Sequence, residues 1–354
     1  MSKPILATML SCCTSVLTDD EKYLFSKYNP LGVSLFARNI INKEQLKKLI
    51  DDIKNTINRD DVLIAVDEEG GRVSRLNPLR NSFYTSPENL GNADIKYTKM
   101  HAKLIASELK DIGININYSP TIDRKIISQS NVLEKRCFSD NDNKIVQYAS
   151  VMADTYINMG VCPCIKHIPG HFNLDKDPHL DVIESNLTVD EIINKTKYLQ
   201  KFSNYPFAMT AHIKLNSIDN KNPVSTSKKV ISELIRKQIG FNGLLISDAI
   251  DMHSLSGSIK ERLNACLDAG VDVACYCSGK YNEMEEICKE NRFMTEKSLI
   301  RFANIKEIIN NKAKQIDIIT ISSSYKEKFG DCLNDVYEYD ATEVLHHMQK
   351  KGDT

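Results

Sequence analysis

Val161-Cys162-Pro163-Cys164-Ile165-Lys166-His167-Ile168-Pro169-Gly170-His171 is a short apolar run that opens into a polar loop. Val161 to Ile165 has the length of a buried strand. The following segment, Lys166 to His179, holds three of the chain's eight histidines, with two lysines, two aspartates and a Pro-Gly turn. Histidine titrates near neutrality, so a loop this rich in it suits proton transfer. A structural zinc site and a plain hydrogen-bonded loop are the competing readings.

Other strand-length runs carry the same signature. They are Gly32 to Phe36, Val62 to Val66, Ile114 to Tyr118, Phe207 to Ala211, Leu244 to Ser247 and Val271 to Tyr276. Amphipathic stretches lie between them: Lys43 to Ile57, Thr98 to Leu109, Lys144 to Met159, Leu187 to Phe202 and Ser227 to Gln238, the last with Ser227 as N-cap and Gly240 just past its end. Strands alternating with helices predict βαβ units and a parallel sheet. Asp67, Lys166-His167, His212 and Asp248 each stand at or just after the end of a different strand, the layout of a (β/α)8 barrel. A doubly wound sheet would gather ligands at one switch point, and no Gly-x-Gly-x-x-Gly phosphate loop occurs. The expectation is a single-domain α/β fold, a (β/α)8 TIM-type barrel over residues 1–320, with an irregular barrel closure allowed for. Residues 321–354 form a C-terminal appendage packed on the barrel or partly mobile. A short helix is expected there around Glu343 to Lys350, and His346-His347 is read as solvated.

The composition narrows the classes. A net charge of −1 with interspersed signs leaves no electrostatic footprint for nucleic acid or an anionic membrane. The apolar runs are too short to span a bilayer, and Met1 to Ala7 lacks the apolar core of a signal peptide. Ten cysteines in a chain with its own core read as reduced thiols, so the cytoplasm is the expected compartment. Cys162/Cys164 and Cys275/Cys277 share strand faces and could in principle share a metal. Packing as small hydrophobes is the plainer reading.

Two further segments bear chemistry. Leu244-Leu245-Ile246-Ser247-Asp248 ends an apolar strand in a carboxylate, which from a rigid strand can attack a carbon centre or stabilise positive charge. Asp251 lies beyond the strand and is the weaker candidate. Asp67-Glu68-Glu69-Gly70-Gly71-Arg72-Val73-Ser74-Arg75 sets acids and arginines around paired glycines, which permit a sharp turn or a close approach.

Together these segments resemble glycoside hydrolase family 3, specifically its single-domain bacterial branch of β-N-acetylglucosaminidases. Asp67, Glu69, Gly70, Gly71, Val73 and Arg75 match that branch's Asp-x-Glu-Gly-Gly-x-Val-x-Arg. Lys166, His167, Pro169, Gly170, His171, Asp177 and His179 match its Lys-His-Phe-Pro-Gly-His-Gly loop and the Asp-Ser/Thr-His beyond it. Gly240-Phe241, Gly243, Ser247 and Asp248 match its nucleophile segment. Pro30-Leu31-Gly32 to Leu35-Phe36 with Arg38-Asn39 resembles the family's first strand, and Ala211-His212 its fifth. Phe172 stands where the family has glycine, Pro178 where it has Ser or Thr, and Ala249 where Asp is frequent.

The resemblance implies a retaining exo-β-N-acetylglucosaminidase acting on N-acetylglucosamine–anhydro-N-acetylmuramic acid fragments, with or without peptide, in cell-wall recycling. Asp248 would be the nucleophile. His179, oriented by Asp177, would be general acid and then base in place of the usual second carboxylate. Asp67, Arg75, Arg136, Lys166 and His167 would grip the sugar, while Pro169, Gly170 and His171 shape the loop. Neither metal nor cofactor is expected, and the partner is a small saccharide or muropeptide bound by a monomer or weak homo-oligomer. Alternatives are a phosphorylase on the same scaffold, a catalytically degenerate muropeptide-binding barrel, and a zinc hydrolase using His167, His171, Asp177 and His179.

Overall fold

The computed structural model describes residues 3–80, 84–125, 133–172, 183–311 and 316–330. Eight parallel strands close into a barrel: β1 (Leu6–Ser11), β2 (Pro30–Leu35), β3 (Leu63–Val66), β4 (Ile116–Asn117), β5 (Cys162–Ile168), β6 (Phe207–Thr210), β7 (Leu244–Ala249) and β8 (Val273–Cys275). Each strand pairs with its successor, and β8 returns to β1 through Thr8↔Ala274 and Met9↔Cys275. The closing pair shows no slip. Register shifts fall instead at Leu6/Met9, Lys166/Ile168 and Ile246/Ala249.

Side chains alternate across a strand, and this parity builds the site. Leu63 and Ala65, Cys162 and Cys164, Leu244 and Ile246, and Val273 and Cys275 pack inside the barrel. Ile64, Val66, Ile165 and Leu245 face outward, under the helices. Continuing the inward parity by two residues reaches Asp67, Lys166, Asp248 and Cys277, all at the strands' C-terminal end.

Outside the barrel, the helix Lys43–Ile57 shows how the layer forms. Asn42 caps it by accepting the Gln45 N–H at 2.9 Å, and Leu46, Leu49, Ile50, Ile53 and Ile57 form its buried stripe. The stretch from Thr98 to Leu109 extends to Ile95–Ile112, and that from Lys144 to Asp142–Asn158. Ser227 Oγ accepts the Val230 N–H at 3.2 Å before a π-helix, Val230–Gln238, and Gly240 follows at φ +77°. No helix among the described residues is long and apolar enough to cross a membrane.

Several boundaries differ from the sequence expectation. β1 was not anticipated, so the strand from Pro30 is second in the chain, Asp67 follows the third, and Phe207–Thr210 is sixth rather than fifth. β5 runs through Lys166 and His167, which the sequence placed in the loop. Lys166 pairs with Met209 and bridges Thr121, so the ladder continues where the polarity changes. The helix Ile318–Phe329 begins before the expected appendage boundary and buries Tyr325 and Phe329. The helix expected near Glu343 and His346-His347 lie outside the described residues.

Candidate active site

Lys166 is a fully buried lysine, and a buried charge needs partners. Its Nζ lies 2.5 Å from Asp67 Oδ1 and 2.7 Å from Glu69 Oε1. Burial alone would lower the ammonium's pKa, but these two carboxylates raise it, so Lys166 stays charged. Glu69, also buried, accepts from Arg136 Nε at 3.0 Å and Nη2 at 2.8 Å. Burial pushes this carboxyl up, yet Arg136 and Lys166 hold it well below the usual range. Arg75 Nη2 approaches Asp67 Oδ2 at 3.9 Å, and its guanidinium lies 5.8 Å from the Phe36 ring. Four of the expected sugar-gripping residues, Asp67, Arg75, Arg136 and Lys166, thus form one network with Glu69 at its centre.

A second network turns on Asp123. One carboxylate oxygen accepts the His167 N–H and Nδ1–H at 3.0 and 2.8 Å; the other accepts those of His171 at 2.8 and 3.1 Å. Burial favours the neutral carboxyl, but the two histidines hold Asp123 well below its ordinary value. With Nδ1 committed, His167 turns Nε2 towards Asp248 Oδ2, 3.8 Å away. Burial lowers the His167 pKa, so the neutral ring with a bare Nε2 is favoured. Pro169 and Gly170, the latter at φ +111°, carry the chain from β5 to His171, whose N–H and Nδ1 bond the Asp123 carboxylate.

Asp248 itself ends the inward parity of β7. Its Oδ1 accepts the Ala249 N–H at 2.8 Å, and its side chain remains 21% exposed, which leaves it open to a ligand. Both ring nitrogens of the buried His212 are taken up by the protein. It bonds Ser225 Oγ at 2.7 Å and the Ala249 carbonyl at 3.0 Å, bracing the turn after Asp248. Asp251 holds the Cys277 N–H at 3.1 Å and the Ser278 hydroxyl. Asp177 and His179 lie outside the described residues.

Asp123, His167 and His171 present ligand atoms within 4.8 Å of one another, a set that could hold a metal ion. Both Nδ1 atoms of this set already bond the Asp123 carboxylate.

Sequence reading missed four residues: the role of Glu69 as hub, Asp123, His101 and Tyr325. His101 Nε2 donates to the Glu69 carbonyl at 3.2 Å, and its Nδ1 accepts the Tyr325 hydroxyl at 2.8 Å. The Thr85 N–H donates to the same hydroxyl at 3.2 Å. The C-terminal helix is thereby tied to the hairpin that carries Glu69. Asp123 lies in the irregular segment after β4, beyond the Thr121 bridge to Lys166, so no strand-end carboxylate like Asp67 or Asp248 marked it. The pairing of Tyr325 with His101, far apart in sequence, left no local trace.

The glycosyl hydrolase family 3 N terminal domain profile matches residues 8–305, which makes the protein a glycoside hydrolase built on a (β/α)8 barrel. The chain belongs to glycosyl hydrolase family 3. Among its relatives, a beta-hexosaminidase of Tolumonas auensis is 32% identical over 288 residues, 78% of this chain and 83% of the relative. Beta-hexosaminidase A of Pseudoalteromonas piscicida is 29% identical over 287 residues, and the match spans 73% of this chain but only 48% of that protein. The structure of native NagZ from Neisseria gonorrhoeae superposes with a TM-score of 0.76 at 25% identity, covering 93% of this chain and 96% of the other.

Proposed function

We propose that this protein is a retaining exo-β-N-acetylglucosaminidase that releases N-acetylglucosamine from the non-reducing end of cytoplasmic muropeptide fragments. The observation that carries the reading is Asp248 at the end of β7, within 3.8 Å of His167 and on the same strand-end face as the Asp67–Lys166–Glu69–Arg136 network. The beta-hexosaminidase relatives support the sugar class.

In this reading Asp248 attacks the anomeric carbon, forming a C–O bond to the carboxylate as the glycosidic C–O bond breaks. His179, paired with Asp177, gives its proton to the departing oxygen. It then takes one from water, which cleaves the glycosyl-aspartate and frees Asp248. Asp67 and Lys166 hold sugar hydroxyls from fixed positions, so little side-chain ordering is left to the moment of binding. Neutral His167 sets a bare nitrogen near Asp248 rather than a competing cation.

Release of nitrophenol from 4-nitrophenyl N-acetyl-β-D-glucosaminide tests the reading. The native protein should turn over, and Asp248→Ala should be slower by roughly 10⁴–10⁶-fold. Free N-acetylglucosamine should be the product at every phosphate concentration; a sugar 1-phosphate would contradict hydrolysis. No turnover by folded native protein would contradict the enzyme reading.

A further inference from the structure

Cys275 and Cys277 bring two sulfur atoms into contact at the barrel mouth. They stand two apart at the end of β8, so both follow the inward parity, and Sγ–Sγ is 3.6 Å. Two thiolates on one tetrahedral ion with bonds of about 2.3 Å would lie about 3.8 Å apart, so a single atom can bridge this pair with little movement. Beneath Cys275 the interior is filled: its sulfur meets Ser34 Oγ at 3.8 Å and Tyr118 Oη at 4.0 Å. Above it, Cys277 is only partly buried and lies within electrostatic reach of Asp248 and Asp251. A group bridging the two sulfurs is therefore closed off on the Cys275 side by Ser34 and Tyr118, and it sits at the strand end whose acids, Asp251 and Asp248, act on Cys277.

We infer that Cys275 and Cys277 form a dithiol site that takes a trivalent arsenical as a bridging ligand and so closes the pocket over Asp248. The step balances without an oxidant. Two As–S bonds form, the As–O bonds of the organoarsenic oxide break, and its oxygen leaves as water with both thiol protons. Arsenic stays trivalent. The hydrogen bond between the thiols, burial and the nearby carboxylates all raise the Cys277 pKa. A route through a free thiolate, such as attack on peroxide, is correspondingly slow.

Among the described residues, the other close-spaced cysteine pairs do not offer this arrangement. Cys162 and Cys164 share the spacing but are fully buried in the interior. Cys12 is buried and its neighbour Cys13 exposed, so they face different surroundings. Imidazole and carboxylate ligands have little affinity for trivalent arsenic, which separates this site from the Asp123–His167–His171 cluster.

The test is titration of the whole chain with phenylarsine oxide, read by intact mass under native conditions and by nitrophenyl glycoside turnover. The native protein should gain one phenylarsenic bridge and lose its turnover, and a 1,2-dithiol should restore it where a monothiol does not. Cys275→Ala, at a position outside the substrate network, should keep basal turnover, gain no bridge and resist the reagent. An adduct that persists in Cys275→Ala, or disappears in Cys13→Ala, would overturn the site. A native adduct with full turnover would overturn the closure. The adduct count is independent of which glycoside the enzyme prefers.

Discussion

Glu69 sits between Arg136 and Lys166 with no solvent to share the charge. Glu69→Ala takes a shared carboxylate away from two buried cations, at a cost of about 3–5 kcal/mol. A urea titration should show it as a lower midpoint, and an unchanged midpoint would mean that the cations find other partners. Gly70 is a second sensitive point. At φ +90° its α-carbon faces the Thr85 carbonyl and His101 Cε1, and an added methyl would sit 2.7 Å from that ring carbon. Gly70→Ala should therefore displace the hairpin and raise KM as well as lower the melting temperature. His101 gives a pH signature. Burial lowers its pKa to about 3, against about 6.5 for a free histidine. Between those values the unfolded chain binds a proton that the folded one refuses, so stability from this residue is complete above pH 6.5 and is lost as pH falls towards 3. In His101→Gln, the slope of unfolding free energy over pH 4–6 should fall by about 1.4 kcal/mol per pH unit. An unchanged slope would place the acid sensitivity elsewhere, as in Glu69 and Asp123, whose depressed pKa values act in the same direction at lower pH.

Among the elements, the C-terminal helix Ile318–Phe329 reaches the site through one hydroxyl. Tyr325→Phe removes the partner of His101 Nδ1 and of the Thr85 N–H, which should cost about 1–3 kcal/mol. If the helix also positions Glu69, KM should rise with kcat little changed; loss of stability alone would make its role purely structural. The helix also explains why some elements were legible and others not. β3, β5 and β7 announced themselves because unbroken apolar runs ended abruptly in charge. β1 did not, since Leu6–Ser11 lacks a charged terminus and mixes threonine and serine among its apolar residues. The hairpin Glu68–Gly70 with Val73–Ser74 was readable as a glycine turn but not as a carrier of buried charge. Glu68 is held there by Arg80 at 2.6 Å and Ser74 Oγ at 2.6 Å, contacts that the hairpin and the turn after it bring together.

At the scale of the whole molecule, inward parity at the ends of β3, β5, β7 and β8 delivers Asp67, Lys166, Asp248 and Cys277 to one face. Those strand-end positions were visible in the sequence because parity is local. The Glu69 hub and the Asp123 clamp were not, because each joins segments more than 40 residues apart. Both networks close by protein–protein hydrogen bonds, so the catalytic arrangement should not depend on a metal. Dialysis against EDTA is expected to leave kcat/KM unchanged, whereas a loss restored by zinc would revive the metal-hydrolase alternative. The central claim is that Asp248 becomes covalently linked to the sugar. Incubation with a 2-deoxy-2-fluoro glycoside, followed by peptide mass mapping, tests it most directly. The account predicts one glycosyl adduct on the peptide containing Asp248 and none in Asp248→Ala. An adduct on another residue, or one that survives in the variant, would contradict it.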